Sequence, residues 1–451
     1  MTEVRSQHPP EKAALELVAI DMGYGHLRPA HSIAEFLGNL PILLADEPPL
    51  ATPAEQARWR RARGLYEMLS RASGIPLLGW PFARLLGGIT HIEPLTPGKD
   101  LPKPSWETRY LEREGLRGMG RTLADRLRSR DAALLTTFYA PALLAELHGA
   151  ENLFCVVTDS DVHRVWARSD PKRSKIRYLV PTEQARRRLL AYGISSEQIH
   201  LTGFPLPHSL IGGFQDHVFQ RNLKRRLAAL DPRGAASQRD TPLDTSMVPP
   251  LHLVFAVGGA GAQSKLAGRF LPSLKPLIES GRMRMTLVAG VRKDVRLTFE
   301  AALRHVGLEN APDGPVQILF TPNLSKYFDA FHRLLADAHV LWTKPSELCF
   351  YAALGLPLIL SSPVGAHEEE NLRFTLEAGA AVRQGAPESA GEWLTRLHED
   401  GTLSRAARAG ATHLPRHGLY RIVELVLGAH DLEQALRRTE KSSLHLPRQG
   451  L

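Results

Sequence analysis

His26 stands in the run Gly23-Tyr24-Gly25-His26-Leu27-Arg28-Pro29-Ala30, between an apolar stretch, LELVAID at 15–21, and the helix-period stretch AHSIAEFL. Gly23 and Gly25 permit a tight turn and close approach of the backbone, and Pro29 suits the first turn of a helix, where no amide hydrogen is needed. A helix that begins there points its positive end into the space beyond the carboxyl edge of a sheet. An imidazole at that edge can take a proton from a hydroxyl. On spacing alone the same ring can instead cap or pack locally.

Two further constellations lie in the second half of the chain. Val257-Gly258-Gly259-Ala260-Gly261-Ala262-Gln263 follows an apolar run at 251–257. Small residues there let backbone amides reach a diphosphate while the next helix adds its dipole; a plain strand–helix turn reads the same way. It is neither GxGxxG nor a P-loop, which argues against P-loop phosphotransfer. Further on, Trp342-Thr343-Lys344-Pro345-Ser346-Glu347 and Gly365-Ala366-His367-Glu368-Glu369-Glu370-Asn371 flank GLPLIL. Carboxylates at a helix start are favoured by the dipole and accept hydrogen bonds from sugar or ribose hydroxyls, or they form a solvated helix start. Asp159-Ser160-Asp161 is a DxD, a pattern that elsewhere holds a metal and a nucleotide. Its place in the first half, away from the expected donor site, favours Asp159 orienting His26 or an acceptor hydroxyl, or binding strand-end amides.

The elements that would position these residues are short apolar strands alternating with helices. Strands are expected at 15–21, 132–139, 152–159, 176–183 and 199–207, then at 251–259, 283–290, 316–322, 338–345 and 355–363. This alternation predicts parallel sheets covered on both faces. A chain of 451 residues exceeds one ordinary core. The expected division is an N-terminal Rossmann-like domain at 1–208, a linker or exposed loop at 209–249, a C-terminal domain at 250–435 and a polar, fraying tail at 436–451. With 56 Lys and Arg against 47 Asp and Glu, the net charge of +9 favours an anionic partner or a solvated basic surface. No nucleic-acid-binding signature accompanies it. Two cysteines, Cys155 and Cys349, allow no disulfide framework and fit a reducing, cytosolic setting. The polar start lacks the apolar core of a secretory signal, and no apolar run is long enough to span a bilayer. An apolar wedge at 74–88, GIPLLGWPFARLLGG, beside Arg58, Arg60, Arg61, Arg63, Arg71 and Arg84, suits either an anionic bilayer surface or a buried helical hairpin.

GYGHLRPAHSIAEFL resembles the opening of the lipid-linked glycosyltransferases: the transferase that makes lipid II, the monogalactosyldiacylglycerol synthases and the processive diacylglycerol glucosyltransferases. TDSDVHRVW, RYLVPTEQARRRLLAYG, LTGFPLP, VGGAGA, TKP, GLPLIL and GAHEEENLRF are similar to that diacylglycerol branch and follow its order over roughly residues 15–385. The resemblance implies the GT-B architecture, an α/β fold of two Rossmann-like domains facing across a cleft, with the acceptor on the first and the donor on the second. It implies an inverting, metal-independent transfer from a nucleotide diphosphate sugar, UDP-linked, to a hydroxyl of a lipid or other hydrophobic acceptor. No cofactor beyond that co-substrate is implied, nor a nucleic-acid partner. The setting would be cytoplasmic, peripheral to the inner face of a membrane.

Carried over by position, His26 matches the family's base, with Asp159 beside it. Gly258, Gly259 and Gly261 match the diphosphate loop. Asn323 and Leu324 fall where the family contacts the nucleobase through backbone. Lys344, Pro345 and Ser346 match the turn that opens the donor site, and Glu369, Glu370 and Asn371 the donor-side acidic run. One position departs. The family's ribose-binding Glu falls at Phe350, and Glu347 lies three residues early. Three outcomes follow: Glu347 substitutes from the turn, the nucleotide sits differently, or donor binding is lost. The alternatives are therefore a nucleotide-sugar 2-epimerase or hydrolase on the same fold, and a degenerate binding protein.

Overall fold

The computed structural model describes residues 14–72, 92–95, 101–231, 249–259, 261, 263–363 and 365–444. The apolar wedge at 74–88 lies outside these residues. Within the described residues, no helix is long and apolar enough to cross a membrane.

Two six-stranded sheets carry the molecule. The first joins β1 (Leu15–Ala19), β2 (Ile42–Leu44), β3 (Ala133–Thr136), β4 (Leu153–Val156), β5 (Arg177–Val180) and β6 (Ile199–Leu201) in the order β2-β1-β3-β4-β5-β6. The second joins β7 (Leu251–Ala256), β8 (Met283–Gly290), β9 (Val316–Phe320), β10 (Val340–Thr343), β11 (Leu358–Leu360) and β12 (Ala381–Arg383) in the order β12-β11-β10-β7-β8-β9. Every pairing is parallel; Leu17 registers with Leu135, and Phe255 with Trp342. The central strands are buried on both faces, as their continuous apolar runs require. Each sheet reverses its strand order once, at β1/β3 and at β7/β10. Such reversals open a crevice at the carboxyl edge.

The helices that frame the crevices are α1 (Tyr24–Phe36), α2 (His217–Leu230), α3 (Leu324–Asp337), α4 (Ala366–Glu377), α5 (Gly418–Leu427) and α6 (Ala429–Leu444). One apolar cluster runs through both halves and includes Phe36, Phe204, Phe328, Phe350 and Tyr420. Burial of this shared surface holds the halves together through the hydrophobic effect.

The structure also differs from the expected boundaries in the linker, the tail and the start of α1. Part of the supposed linker is α2, whose Phe219, Asn222, Arg226 and Ala229 form a buried face. The Arg226 guanidinium donates to the carbonyls of Leu335, Ala338 and Leu354 at 3.0, 2.8 and 2.8 Å, which fixes α2 to the second half. The supposed tail from 436 is helical as far as Leu444, because Leu432 and Ala435 are buried and Leu436 packs beside them. Pro29 lies inside α1 rather than in its first turn, since the helix already starts at Tyr24.

The last two helices return to the first half. Tyr420 Oη accepts the Gly213 amide at 3.0 Å and lies 2.9 Å from His208 Nδ1. Arg438 donates to the carbonyl of Phe36 at 2.9 Å, the last residue of α1, where a cation suits the helix dipole.

Candidate functional site

At the first crevice, α1 leaves β1 and the Thr137 segment leaves β3. His26 Nδ1 lies 2.9 Å from the Thr137 carbonyl oxygen and 3.2 Å from Thr158 Oγ1. A carbonyl only accepts, so Nδ1 carries the hydrogen and Nε2 keeps a lone pair. Thr137 Oγ1 donates back to the His26 carbonyl at 2.8 Å, and the ring stands edge-on to Phe138 with centroids 4.7 Å apart. Burial lowers the His26 pKa below its ordinary value, against the opposing pull of Asp159 and of the Thr137 bond. The ring is therefore neutral at pH 7 and able to accept a proton.

Asp159 was expected to orient His26 or an acceptor hydroxyl, or to bind strand-end amides. Thr137 and Thr158 make the bonds to His26 instead. The Asp159 carboxylate accepts a hydrogen bond from Asn371 Nδ2 at 3.0 Å and influences His26 through space. The other acid of the DxD, Asp161, is buried against Arg188, which donates to its two oxygens at 2.9 and 2.7 Å. His163 lies beside His367 of the second half with ring centroids 6.5 Å apart, and burial and that neighbour lower its pKa to about 4.

At the second crevice, Gly258 follows β7 and Lys344 follows β10. A Cβ on Gly258 would lie 2.6 Å from Lys344 Cε, so a side chain there would push the lysine end off its present path. A Cβ on Gly259 would lie 3.3 Å from the Tyr24 amide nitrogen and 3.4 Å from Gly23 Cα. The two glycine turns, more than 230 residues apart in sequence, thus meet in van der Waals contact. The Lys344 ammonium pairs with the buried Glu368 carboxylate. Ser346 caps a 3-10 helix, Glu347–Leu354, its hydroxyl accepting the Leu348 amide. Gly261 adopts φ +70, in the left-handed region that favours glycine. At the carboxyl edge of β9, the Asn323 side chain caps α3 by accepting the Lys326 amide at 2.9 Å, and Leu324 is half-buried.

Three polar side chains also join the crevices. Arg28 on α1 forms a buried ion pair with Glu347 and donates to Tyr327 Oη at 3.2 Å, with Phe331 4.7 Å beneath its guanidinium. Asn371, fully buried on α4, accepts the Ser160 amide at 2.8 Å while donating to Asp159 and toward the Pro345 carbonyl at 3.0 and 3.4 Å. Tyr24 Oη accepts the Val291 amide at 3.2 Å.

The structure brings Gly23, Gly25, His26, Asp159, Gly258, Gly259, Lys344, Pro345, Ser346, Glu347 and Asn371 to one seam. Glu369 is exposed, and Glu370 pairs with Arg373 one turn along α4; Glu368, which was not singled out, is the acid that turns inward. Phe350 faces no open crevice. It stacks on Phe204 at 4.6 Å with the rings 11° from parallel.

No family model matches the chain. A processive diacylglycerol β-glucosyltransferase of Bacillus pumilus is 23% identical over 283 residues, covering 62% of this chain and 63% of that protein. The match therefore spans less than two thirds of that relative's length. An S. aureus MnaA structure with UDP aligns at a TM-score of 0.51 and 11% identity, over 94% of this chain and 98% of that one. Acinetobacter baumannii MurG aligns at 0.48 and 13% identity, over 92% and 99%. The chain is thus similar over part of its length to a diacylglycerol glucosyltransferase and shares its fold with MnaA. Its two parallel sheets with flanking helices have the GT-B arrangement, and the seam lies where that arrangement opposes its two crevices.

Proposed function

We propose that this chain transfers a sugar from a UDP-linked donor to a hydroxyl of a lipid acceptor, with inversion at the anomeric carbon. The observation that carries this reading is the neutral His26 ring, its Nδ1 anchored on a backbone carbonyl and its Nε2 left as the acceptor. Support comes from the relative that acts on diacylglycerol and the UDP held by a structural neighbour.

In the reaction, the acceptor O–H proton passes to His26 Nε2 as the oxygen forms its bond to the anomeric carbon. The bond from that carbon to the diphosphate breaks, and its electron pair leaves on the phosphate oxygen. The amides at Gly258 and Gly259, with the Lys344 ammonium, stabilise the departing charge, while the Gly261 amide donates to the Gly258 carbonyl at 2.8 Å and closes the turn. Glu368 neutralises Lys344 until a diphosphate takes its place. Because Gly259 touches Gly23 and Tyr24, a diphosphate at this loop requires the halves to part. The chain would work at a membrane surface, where a diacylglycerol hydroxyl is presented.

A specific observation favours one competing reading. The carboxylate nearest the expected ribose position, Glu347, is taken up by Arg28, and Phe350 is stacked away; a chain with no grip on ribose would bind no donor. The experiment is calorimetry with UDP, followed by incubation with UDP-sugars and diacylglycerol vesicles. Saturable UDP binding together with UDP release that requires the vesicles supports transfer. Release without vesicles indicates a hydrolase, a changed UDP-sugar epimer without release indicates an epimerase, and no binding at millimolar UDP indicates the degenerate form.

A further inference from the structure

Further along α1, beyond the residues of the seam, a second group of side chains meets across the two halves. His31 and Glu35 lie four residues apart on α1, and Asp329 and His332 three apart on α3, spacings that put each pair on one helix face. Ligand atoms of His31, Glu35 and His332 all lie within 4.8 Å of one another. His332 is 3% exposed, and neither of its ring nitrogens has a hydrogen-bond partner. Glu35 Oε2 is likewise buried without one, 3.9 Å from His332 Nδ1.

This is an unusual arrangement for a packed interface, where each unpaired buried polar group costs roughly 1–3 kcal/mol. An imidazole whose two nitrogens are both unpartnered can offer a lone pair to a metal. Asp329 accepts from or faces His31 Nε2 at 2.9 Å, the carboxylate–histidine pairing that holds a ligating ring in place. A pocket of about 190 Å³, lined by Glu35, Asp329, His332 and Arg333 among others, gives access from solvent.

We infer that His31, Glu35 and His332 bind one first-row divalent transition-metal ion, zinc foremost, which clasps α1 of the first half to α3 of the second. Two imidazoles and a carboxylate suit zinc and its neighbours, whereas magnesium and calcium require oxygen ligands. Bonds of about 2.0–2.2 Å would set tetrahedral ligand atoms roughly 3.3 Å apart, so modest side-chain rotation closes the observed spacing. Water fills the fourth position. The ion lies five residues along α1 from His26, roughly 7.5 Å in helix rise, and takes no part in the transfer. It holds together the faces that must separate for a nucleotide to enter, so it favours the closed arrangement by mass action.

The test uses the full chain, stripped with a chelator and titrated with zinc by calorimetry and with cobalt by visible absorption. Expected are one ion per chain, an intense d–d band of a four-coordinate cobalt bearing imidazole, and a zinc-dependent rise in melting temperature. His332→Gln, which keeps most of the buried volume, and Glu35→Gln should each weaken uptake about 100-fold and abolish the band. Absence of one-to-one uptake by the natural chain overturns the inference without recourse to variants. Uptake that His332→Gln leaves unchanged also overturns it, by placing the ion on other histidines. Because the readout is metal itself, a failure of sugar transfer leaves this test intact.

Discussion

The two crevices share a topology but differ in their chemistry. The first presents an uncharged ring whose orientation comes from the backbone: the Thr137 carbonyl fixes the tautomer and burial keeps the proton off. The second presents a full charge already neutralised, Lys344 on Glu368, beside a glycine turn stripped of side chains. The first is therefore set up to receive a proton, and the second to exchange one anionic partner for another. A strand order that reverses once supplies the place for chemistry, and the loop residues decide which chemistry it is.

The largest effect should come from breaking the contact between the two. Arg28→Ala leaves Glu347 buried without its countercharge and should cost about 3–5 kcal/mol in denaturant unfolding. Replacing both residues with methionine should recover most of that loss, because the pocket is already aromatic. If Arg28→Ala is as stable as the natural chain, the crevices are not held by this pair. Next, His26→Ala should cut sugar transfer by about 100-fold or more while UDP affinity, measured by calorimetry, stays unchanged. A parallel loss of UDP binding would show that the first crevice also holds the donor, and the contrast would fail.

A smaller change is expected at the bridge. Asn371→Leu removes the acceptor of the Ser160 amide and one partner of Asp159, costing about 1–3 kcal/mol by thermal or urea unfolding. Smallest is the response to pH. His26, His163 and His208 all have folded pKa values below the unfolded value, through burial above all; for the last two the folded value is about 4. Their contribution is fully present above roughly pH 6.5 and is lost as pH falls through the folded values, so the urea midpoint should decline from about pH 6.5 toward 4. Transfer itself should be flat near pH 7 and fall only below the ordinary histidine pKa, as His26 protonates. A fall beginning above pH 7 would contradict a depressed His26.

Much of this was legible in the sequence. Ten of the strands announce themselves as apolar runs of ordinary length, and both glycine turns follow their strands directly. The missed strands, β2 and β12, have three residues each and lie at the two sheet edges, too short to show a period. The partners of His26 were illegible for another reason. A backbone carbonyl has no residue type, so nothing in the letters marks Thr137 as the anchor, and the nearby acid drew the assignment instead. Arg28 and Glu347 are 319 residues apart and belong to different sheets; no local pattern pairs them. Phe350 was noticed as a departure, but its stacking on Phe204 depends on how the halves dock.

The return of the final helices to the first half bears on how the protein is made. The carbonyl that ends α1 waits for Arg438, and the Gly213 amide waits for Tyr420. During synthesis the first half emerges complete in sequence yet lacking these closing partners, which leave the ribosome only after the whole second half. Its maturation is thus coupled to synthesis of the segment 418–444, and a chain interrupted before that segment would have an early half that has never been sealed.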